Sequence, residues 1–255
     1  RLFSEDGTYG YIIKCKDLAG NTATEYMSDI FIIDKTAPEV NFSGVENFSA
    51  NNGEVAPTVV YGDKYIDIQA SKVTLKGANN GPVNVGSSVK QIENGFAVSY
   101  SDFAHDKSMD DLYVLEATVC DMAGNQTKDE LVFSVNRHGS VFVVGDVARK
   151  FNEKYYINQP KDITITEINI DELTQKDVSI SRDGSIRELV NGKDYSVSRQ
   201  GSDTSWKTYT YTIGKKNFGT DGIYSVTVYS KDKATNVQDN KSRDAEITFA
   251  VDMTA

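Results

Sequence analysis

Asp110 to Asn125 reads DDLYVLEATVCDMAGN, and in it Tyr113, Leu115, Ala117 and Val119 alternate with Val114, Glu116, Thr118 and Cys120. That is the two-residue period of a strand with one buried face and one wet face. The strand gives way to Asp121-Met122-Ala123-Gly124-Asn125, turn chemistry in which glycine takes positive φ and the aspartate bonds the turn backbone. The same pattern recurs as DGTYGYIIKCKDLAGN from Asp6 to Asn21 and as DGIYSVTVYSKDKATN from Asp221 to Asn236. Each copy is followed by a variable stretch and then a closing run: FIIDKTAP from Phe31, FSVNRHGS from Phe133 and FAVDMTA from Phe249. The shared frame is Asp-x-x-Tyr, seven residues, Asp-x-Ala-Gly-Asn, and later Phe-x-(Ile/Val)-(Asp/Asn)-x-Thr-Ala. Its aspartates Asp17, Asp121 and Asp232 lie 104 and then 111 positions apart, which is one sandwich domain and not one supersecondary unit. The third copy carries Thr235 where glycine is expected, so its turn should differ or place Asn236 in the left-handed region.

Outward from these copies the signals stay those of short strands. Ile66, Ile68 and Ala70; Phe96, Val98 and Tyr100; Val178 and Ile180; and the run Trp206 to Ile213 alternate between turn pairs such as Asn80-Gly81, Asn94-Gly95 and Asp183-Gly184. Between Ile163 and Ile170 the alternation slips at Glu167, which predicts a β-bulge there. No segment sustains a helical period, so the class is all-β. A chain of 255 residues holds about two sandwich domains of ordinary size.

The Asp-x-x-Tyr opening resembles the tyrosine corner of immunoglobulin sandwiches, with Tyr11, Leu115 and Val226 where the inter-sheet cysteine would stand two residues later. DGTY, KDLAGNT and the Asp-Lys-Thr-Ala-Pro terminus together resemble bacterial immunoglobulin-like repeats of long surface proteins, mostly from Gram-positive bacteria. The likeness covers about the last third of each domain. It implies tandem immunoglobulin-like β-sandwiches with Greek-key-type antiparallel sheets, and makes Asp-x-Thr-Ala-Pro the junction between them. On that basis residues 1–37 are the C-terminal hairpin of a preceding domain, 38–138 one domain and 139–255 another. The second junction, Asn136-Arg137-His138-Gly139-Ser140, departs from the pattern. A lone hairpin is marginal in water, so residues 1–37 are expected to need a partner surface, their missing strands lost by proteolysis or supplied by another chain.

With 37 acidic against 27 basic side chains and a formal charge of -10, the chain repels phosphate backbones and anionic membranes. Apolar runs such as Tyr11 to Ile13 fall far short of the roughly 18 residues of a membrane helix. Arg1 opens no targeting peptide. Cys15 and Cys120, in different repeats and in different registers, point to opposite faces of equivalent strands and are expected to be free thiols. Lys-to-Asn isopeptide cross-links, which some surface domains of the resembled family use, have no local signature here.

Asp17, Asp121 and Asp232, with the junction residues Asp34, Asn136 and Asp252, offer oxygen ligands to a structural calcium. Turn and cap roles are the simpler assignment, and the calcium version worth testing pairs a junction aspartate with a neighbouring loop. His105 and His138 are too few for a zinc pair and no nucleophile stands beside either; His138 occupies the position of Thr36 and Thr254. Adjacent carboxylates such as Asp110-Asp111, Asp129-Glu130 and Asp171-Glu172 point to opposite strand faces and cannot converge on one glycosidic bond. Trp206, Tyr209, Tyr211 and Phe218 make the best case for a sugar platform, yet alternation splits them between faces, and core packing is the preferred assignment. No catalytic, cofactor or metal residue is therefore assigned. The expectation is a non-catalytic structural or adhesive module of an extracellular surface or secreted protein, acting as a stalk or presenting loops to a protein or glycan. The alternative is an accessory carbohydrate-binding region of a secreted glycan-active enzyme.

Overall fold

A computed structural model describes residues 3–145, 149–151 and 154–254. Between Glu39 and Val135 the strands form two sheets. One runs in the order Gly86–Ile92, Gly95–Ser101, Thr58–Gly62, Glu39–Ser43; the other in the order Ser49–Asn51, Gln126–Val135, Asp111–Asp121, Ile66–Gly77, Gly81–Pro82. Between Val141 and Val251 the partition repeats. Val141–Val144, Ile163–Asn169, Lys207–Ile213 and Tyr195–Gln200 pair in one sheet, and Arg149–Phe151, Lys154–Ile157, Ile247–Val251, Gly222–Asp232, Leu173–Arg182 and Ser185–Glu188 in the other, with Val237–Asp239 also paired to Gly222–Asp232. Two stacked sheets per unit, four strands against five in the first and four against seven in the second, make an immunoglobulin-like β-sandwich, all-β and antiparallel among the described strands except where Ser49–Asn51 and Tyr156–Ile157 run parallel to the last strand of their unit. Among the described residues the helical turns are two 3-10 segments, Lys107–Met109 and Lys215–Phe218.

Alternation places the core. Tyr113, Leu115, Ala117 and Val119 are fully buried and pack with Val59, Tyr61, Leu75, Val98 and Phe133 across the two sheets. Tyr224, Val226 and Val228 do the same with Ile165, Tyr211 and Phe249 in the second core. Each buried aliphatic or aromatic side chain of this kind contributes about 1.5–3 kcal/mol. The first copy of the pattern behaves differently. Its strand is broken into Gly7–Tyr9 and Ile12–Ile13, paired with Phe31–Ile33 and Tyr26–Met27, and Tyr11 and Ile13 stay exposed because no second sheet faces them among the described residues.

Tyr9, Tyr113 and Tyr224 each donate their hydroxyl to the carbonyl four residues upstream, on Glu5, Met109 and Thr220. All three are tyrosine corners. Two expectations fail. Glu167 sits in unbroken register with both neighbouring strands; it is not a bulge but an inward-facing carboxyl, fully buried. The irregularities fall between Thr118 and Cys120 and between Leu173 and Gln175. The third turn does not differ from the second. Thr235 N–H donates to Asp232 O at 3.1 Å as Gly124 N–H donates to Asp121 O at 3.2 Å, and Thr235 itself takes φ 72°. A β-branched residue there is strained.

Candidate functional site

The repeated residues converge on the segments that follow the closing runs, at residues 34–36, 136–138 and 252–254. In the Asp-x-x-Tyr motif the aspartate holds the linker that leaves its own repeat. Asp6 accepts from Lys35 N–H at 3.0 Å and from Thr36 Oγ1 at 2.6 Å. Asp221 accepts from Met253 N–H at 2.9 Å and from Thr254 Oγ1 at 2.6 Å, and the Thr254 hydroxyl, with that backbone N–H, holds its carboxyl below the usual range. Asp110 does the same work at the divergent junction: its Oδ2 accepts from Arg137 N–H at 2.9 Å and His138 N–H at 2.8 Å, and His138 Nδ1 lies 2.9 Å away where the other copies place a threonine hydroxyl. Arg137 is anchored further by donating to Ala104 O and Gly53 O.

The second motif holds the linker that enters its repeat. Asp121 Oδ1 accepts from Ala123 and Asn125 N–H, fixing the turn, and the turn aims the Asn125 amide at Asp34 O, 3.1 Å away. Asn236 repeats this, its N–H on Asp232 Oδ1 at 2.8 Å and its amide on Asn136 O at 2.7 Å. Burial pushes the Asp121 carboxyl up, but the bonds from Asn125, Ala123 and Gly124 outweigh it and leave it below the ordinary range. Each linker is thus gripped from both sides, by Asp6 and Asn125 or by Asp110 and Asn236. Asp17 and Asn21 make the same internal pair, 2.8 Å on both contacts.

Carboxylates gather at both junctions. Oxygens of Asp34, Asp63 and Asp121 lie within 4.8 Å of one another, Asp121 buried and the other two half-buried. The set pairs a junction aspartate with the loop after Thr58–Gly62, and its oxygen-only chemistry is that of a hard divalent cation such as Ca²⁺, which takes about six to eight oxygens. Asp34 Oδ1 and Asp63 Oδ1 already accept the Thr36 and Tyr65 N–H groups, leaving each a second oxygen for such an ion. Asp252, the third junction residue, is exposed.

At the second junction Asn136 stands in place of Asp34, Asp171 in place of Asp63 and Asp232 in place of Asp121. All three are buried. Here the Asn136 amide donates to Asn169 Oδ1 at 3.0 Å, Asp171 Oδ2 at 2.9 Å and Asp232 Oδ2 at 3.1 Å. Gly139 N–H donates to Asn136 Oδ1 at 3.0 Å, which fixes the amide with its nitrogen toward the carboxylates. A network continues behind it. Asn169 donates to Ser140 Oγ at 2.8 Å, and Ser140, Ser230 and Tyr211 donate to Glu167. Burial raises the Glu167 and Asp171 carboxyls above their ordinary values despite these donors.

The sugar platform is not assembled. Tyr209, Tyr211 and Phe218 are core residues. Trp206 packs with Ile170 against Leu112, Val114 and Val132 of the preceding sandwich, and its indole N–H donates to Asp111 Oδ1 at 2.6 Å. Lys233 Nζ on Phe48 O at 2.8 Å and Asn52 Nδ2 on Thr235 Oγ1 at 3.1 Å join the same two bodies. His105 pairs with Glu54 on the surface. Cys15 and Cys120 are free thiols, Cys120 accepting from Gln126 Nε2 at 3.3 Å.

No protein-family model matches the chain, and no curated protein does. Solved structures do align with it. A tetra-tandem repeat in the extending region of a large adhesion protein aligns over 98% of this chain and 57% of that one, at 16% identity and TM-score 0.44. The chain therefore spans little more than half of that structure. A pair of titin Ig tandem domains aligns over 84% of this chain and 95% of that one, at 10% identity and TM-score 0.40. Rst D1-D2 aligns over 83% and 97%, at 8% identity and TM-score 0.36.

Proposed function

We propose that the chain is a non-catalytic structural and adhesive module of a bacterial surface or secreted protein, in which immunoglobulin-like domains stand in a stiff row and hold loops away from an anchor. In this reading residues 38–138 and 139–255 are successive domains and residues 1–37 the closing hairpin of another. The observation that carries it is the double grip on each linker: the motif residues are spent on fixing the angle between neighbours, which a stalk needs and an isolated binding domain does not. The chemistry suits an extracellular setting, where the partner is a protein or a glycan met by loops at the ends of the sandwiches. The carbohydrate-accessory alternative loses its main support with Trp206 engaged between domains. Small-angle scattering of the full chain tests the reading. A single stiff particle is expected, loosened by Trp206→Ala, which removes the indole bond and its packing while leaving both cores intact. Scattering from the unmodified chain that requires freely reorienting domains would sink it.

A further inference from the structure

The same row of outward side chains is covered in one sandwich and open in the other. In the first, Leu112 pairs across the sheet with Ser134, which pairs with Ala50, and Val114 pairs with Val132 one step along. Trp206 and Ile170 of the following sandwich lie on this row and leave Leu112 5% and Val132 1% exposed. In the second sandwich the motif frame puts Ile223 at the position of Leu112, Ser225 at that of Val114 and Thr248 at that of Val132. Strand pairing agrees: Ile223 pairs with Ala250, which pairs with Tyr156, and Ser225 pairs with Thr248. Here Ile223 is 56% and Tyr156 41% exposed.

A hollow of about 490 Å³ lies over the open row, lined by Tyr155, Tyr156, Ile223, Thr248, Phe249 and Ala250. At the covered row about 210 Å³ is left beside Phe48, Ser49 and Leu112, closed from the far side by Asp171 and Lys207 of the neighbour. The approach is set in the same way at both. Asp221 holds Met253 and Thr254 as Asp110 holds Arg137 and His138, so the segment leaving each sandwich is fixed at the same point relative to its row. Two positions differ. Gly222 stands where Asp111 accepts the Trp206 indole N–H, and Tyr156 stands where the first sandwich has Ala50. The second row therefore offers more apolar surface and no side-chain acceptor at that edge, which suits an anchor buried through its hydrocarbon alone.

We infer that Tyr156, Ile223 and Thr248 form a socket for the entry end of another immunoglobulin-like sandwich, the neighbour beyond this one in the row, which seats a large apolar side chain there from the position Trp206 holds. The presence of that neighbour rests on the row of domains proposed for the chain, whereas the socket is read from the internal repeat.

Extending the full chain tests it. A second copy of residues 140–255 joined directly after Ala255 keeps the register, because Asp252 to Ala255 then stand where Asn136 to Gly139 stand. Asp252→Asn restores the Asn136 amide at the new joint. Trp206→Phe in the original copy leaves the duplicated tryptophan as the only one, since the chain has a single Trp. Acrylamide quenching of its fluorescence should be several-fold weaker than in denaturant, and Ile223→Lys should restore most of that difference. Ile223 is exposed, so the lysine leaves the core untouched; Thr248→Lys takes its place if that variant does not fold, and if neither folds the comparison with denaturant decides alone. A duplicated indole as accessible as in denaturant overturns the inference, as does protection that lysine in the socket does not lower. Either result beside a stiff unmodified chain in scattering removes the socket and leaves the row of domains standing.

Discussion

Replacing Asn136 with aspartate is the sharpest perturbation the second junction offers, because it changes one nitrogen to one oxygen at a fully buried position. The amide now donates to two buried carboxylates, Asp171 and Asp232, at 2.9 and 3.1 Å. Hydrogen bonds to charged groups are each worth about 1.5–3 kcal/mol. Removing the donor and adding like charge therefore costs roughly 3–5 kcal/mol, the range for breaking a buried charge interaction. Against a domain stability of about 5–15 kcal/mol, that lowers a melting transition by roughly 10–20 °C. The assay is calorimetry in chelator at neutral pH and again near pH 4. The new carboxyl is desolvated beside two others, so its folded pKa lies above its unfolded value. The charge penalty is then absent below the unfolded pKa and grows as pH rises through the folded one. Asn136→Ala separates the parts, since it removes the donor without adding charge and should fall less. A neutral-pH midpoint for Asn136→Asp within experimental error of the parent would refute the reasoning, and equal losses for the two variants would remove the electrostatic half of it.

The reciprocal change, Asp34→Asn, puts an amide among Asp63 and Asp121 and should stabilise the chain in chelator by about 1 kcal/mol, the scale of a partly exposed charge pair. Millimolar calcium should raise the melting temperature of the parent and not of this variant; identical curves for the parent in calcium and in chelator would show that its three carboxylates hold no ion. Thr235→Asn should add about 0.5–1 kcal/mol by placing a residue that tolerates the left-handed region there, measured by denaturant unfolding. Glu167, raised by burial, favours folding below its ordinary value near 4.5 and loses that contribution as pH rises through its folded pKa. Asp121, lowered, acts oppositely and loses its contribution as pH falls through its folded value. Glu167→Gln should therefore flatten the decline in stability above mildly acidic pH, seen as parallel pH–midpoint curves that separate only on that side.

The strands and the recurring motifs were legible because both are local: alternation over Tyr113 to Val119 names a buried face, and Asp121 to Asn125 names a turn. What those turns are for was not, since Asn125 reaches Asp34 across 91 positions and Asp110 reaches His138 across 28. Composition misled at the second junction, where a histidine nitrogen does the work of a threonine hydroxyl. Glu167 looked like a slipped register because an inward carboxyl breaks apolar alternation without breaking the strand, and only its three hydroxyl donors make that position tolerable. Trp206 could be separated from Tyr209 and Tyr211 by parity, but that its face meets another sandwich depends on packing between bodies. The carboxylate cluster was anticipated only as a junction residue meeting some loop; Asp63 carried no signal beyond being acidic.

Because the second and third repeats each carry one residue that grips the segment ahead and one that grips the segment behind, the unit that can be duplicated or exchanged is a whole motif-to-motif cassette. A gene duplication in register inserts a new domain with both grips intact and preserves the joint angle on either side. A break placed inside the cassette, for instance between Asp110 and Asn125, would separate the two grips and leave mismatched joints. Length can therefore evolve freely in this architecture, while the geometry of each joint is inherited whole.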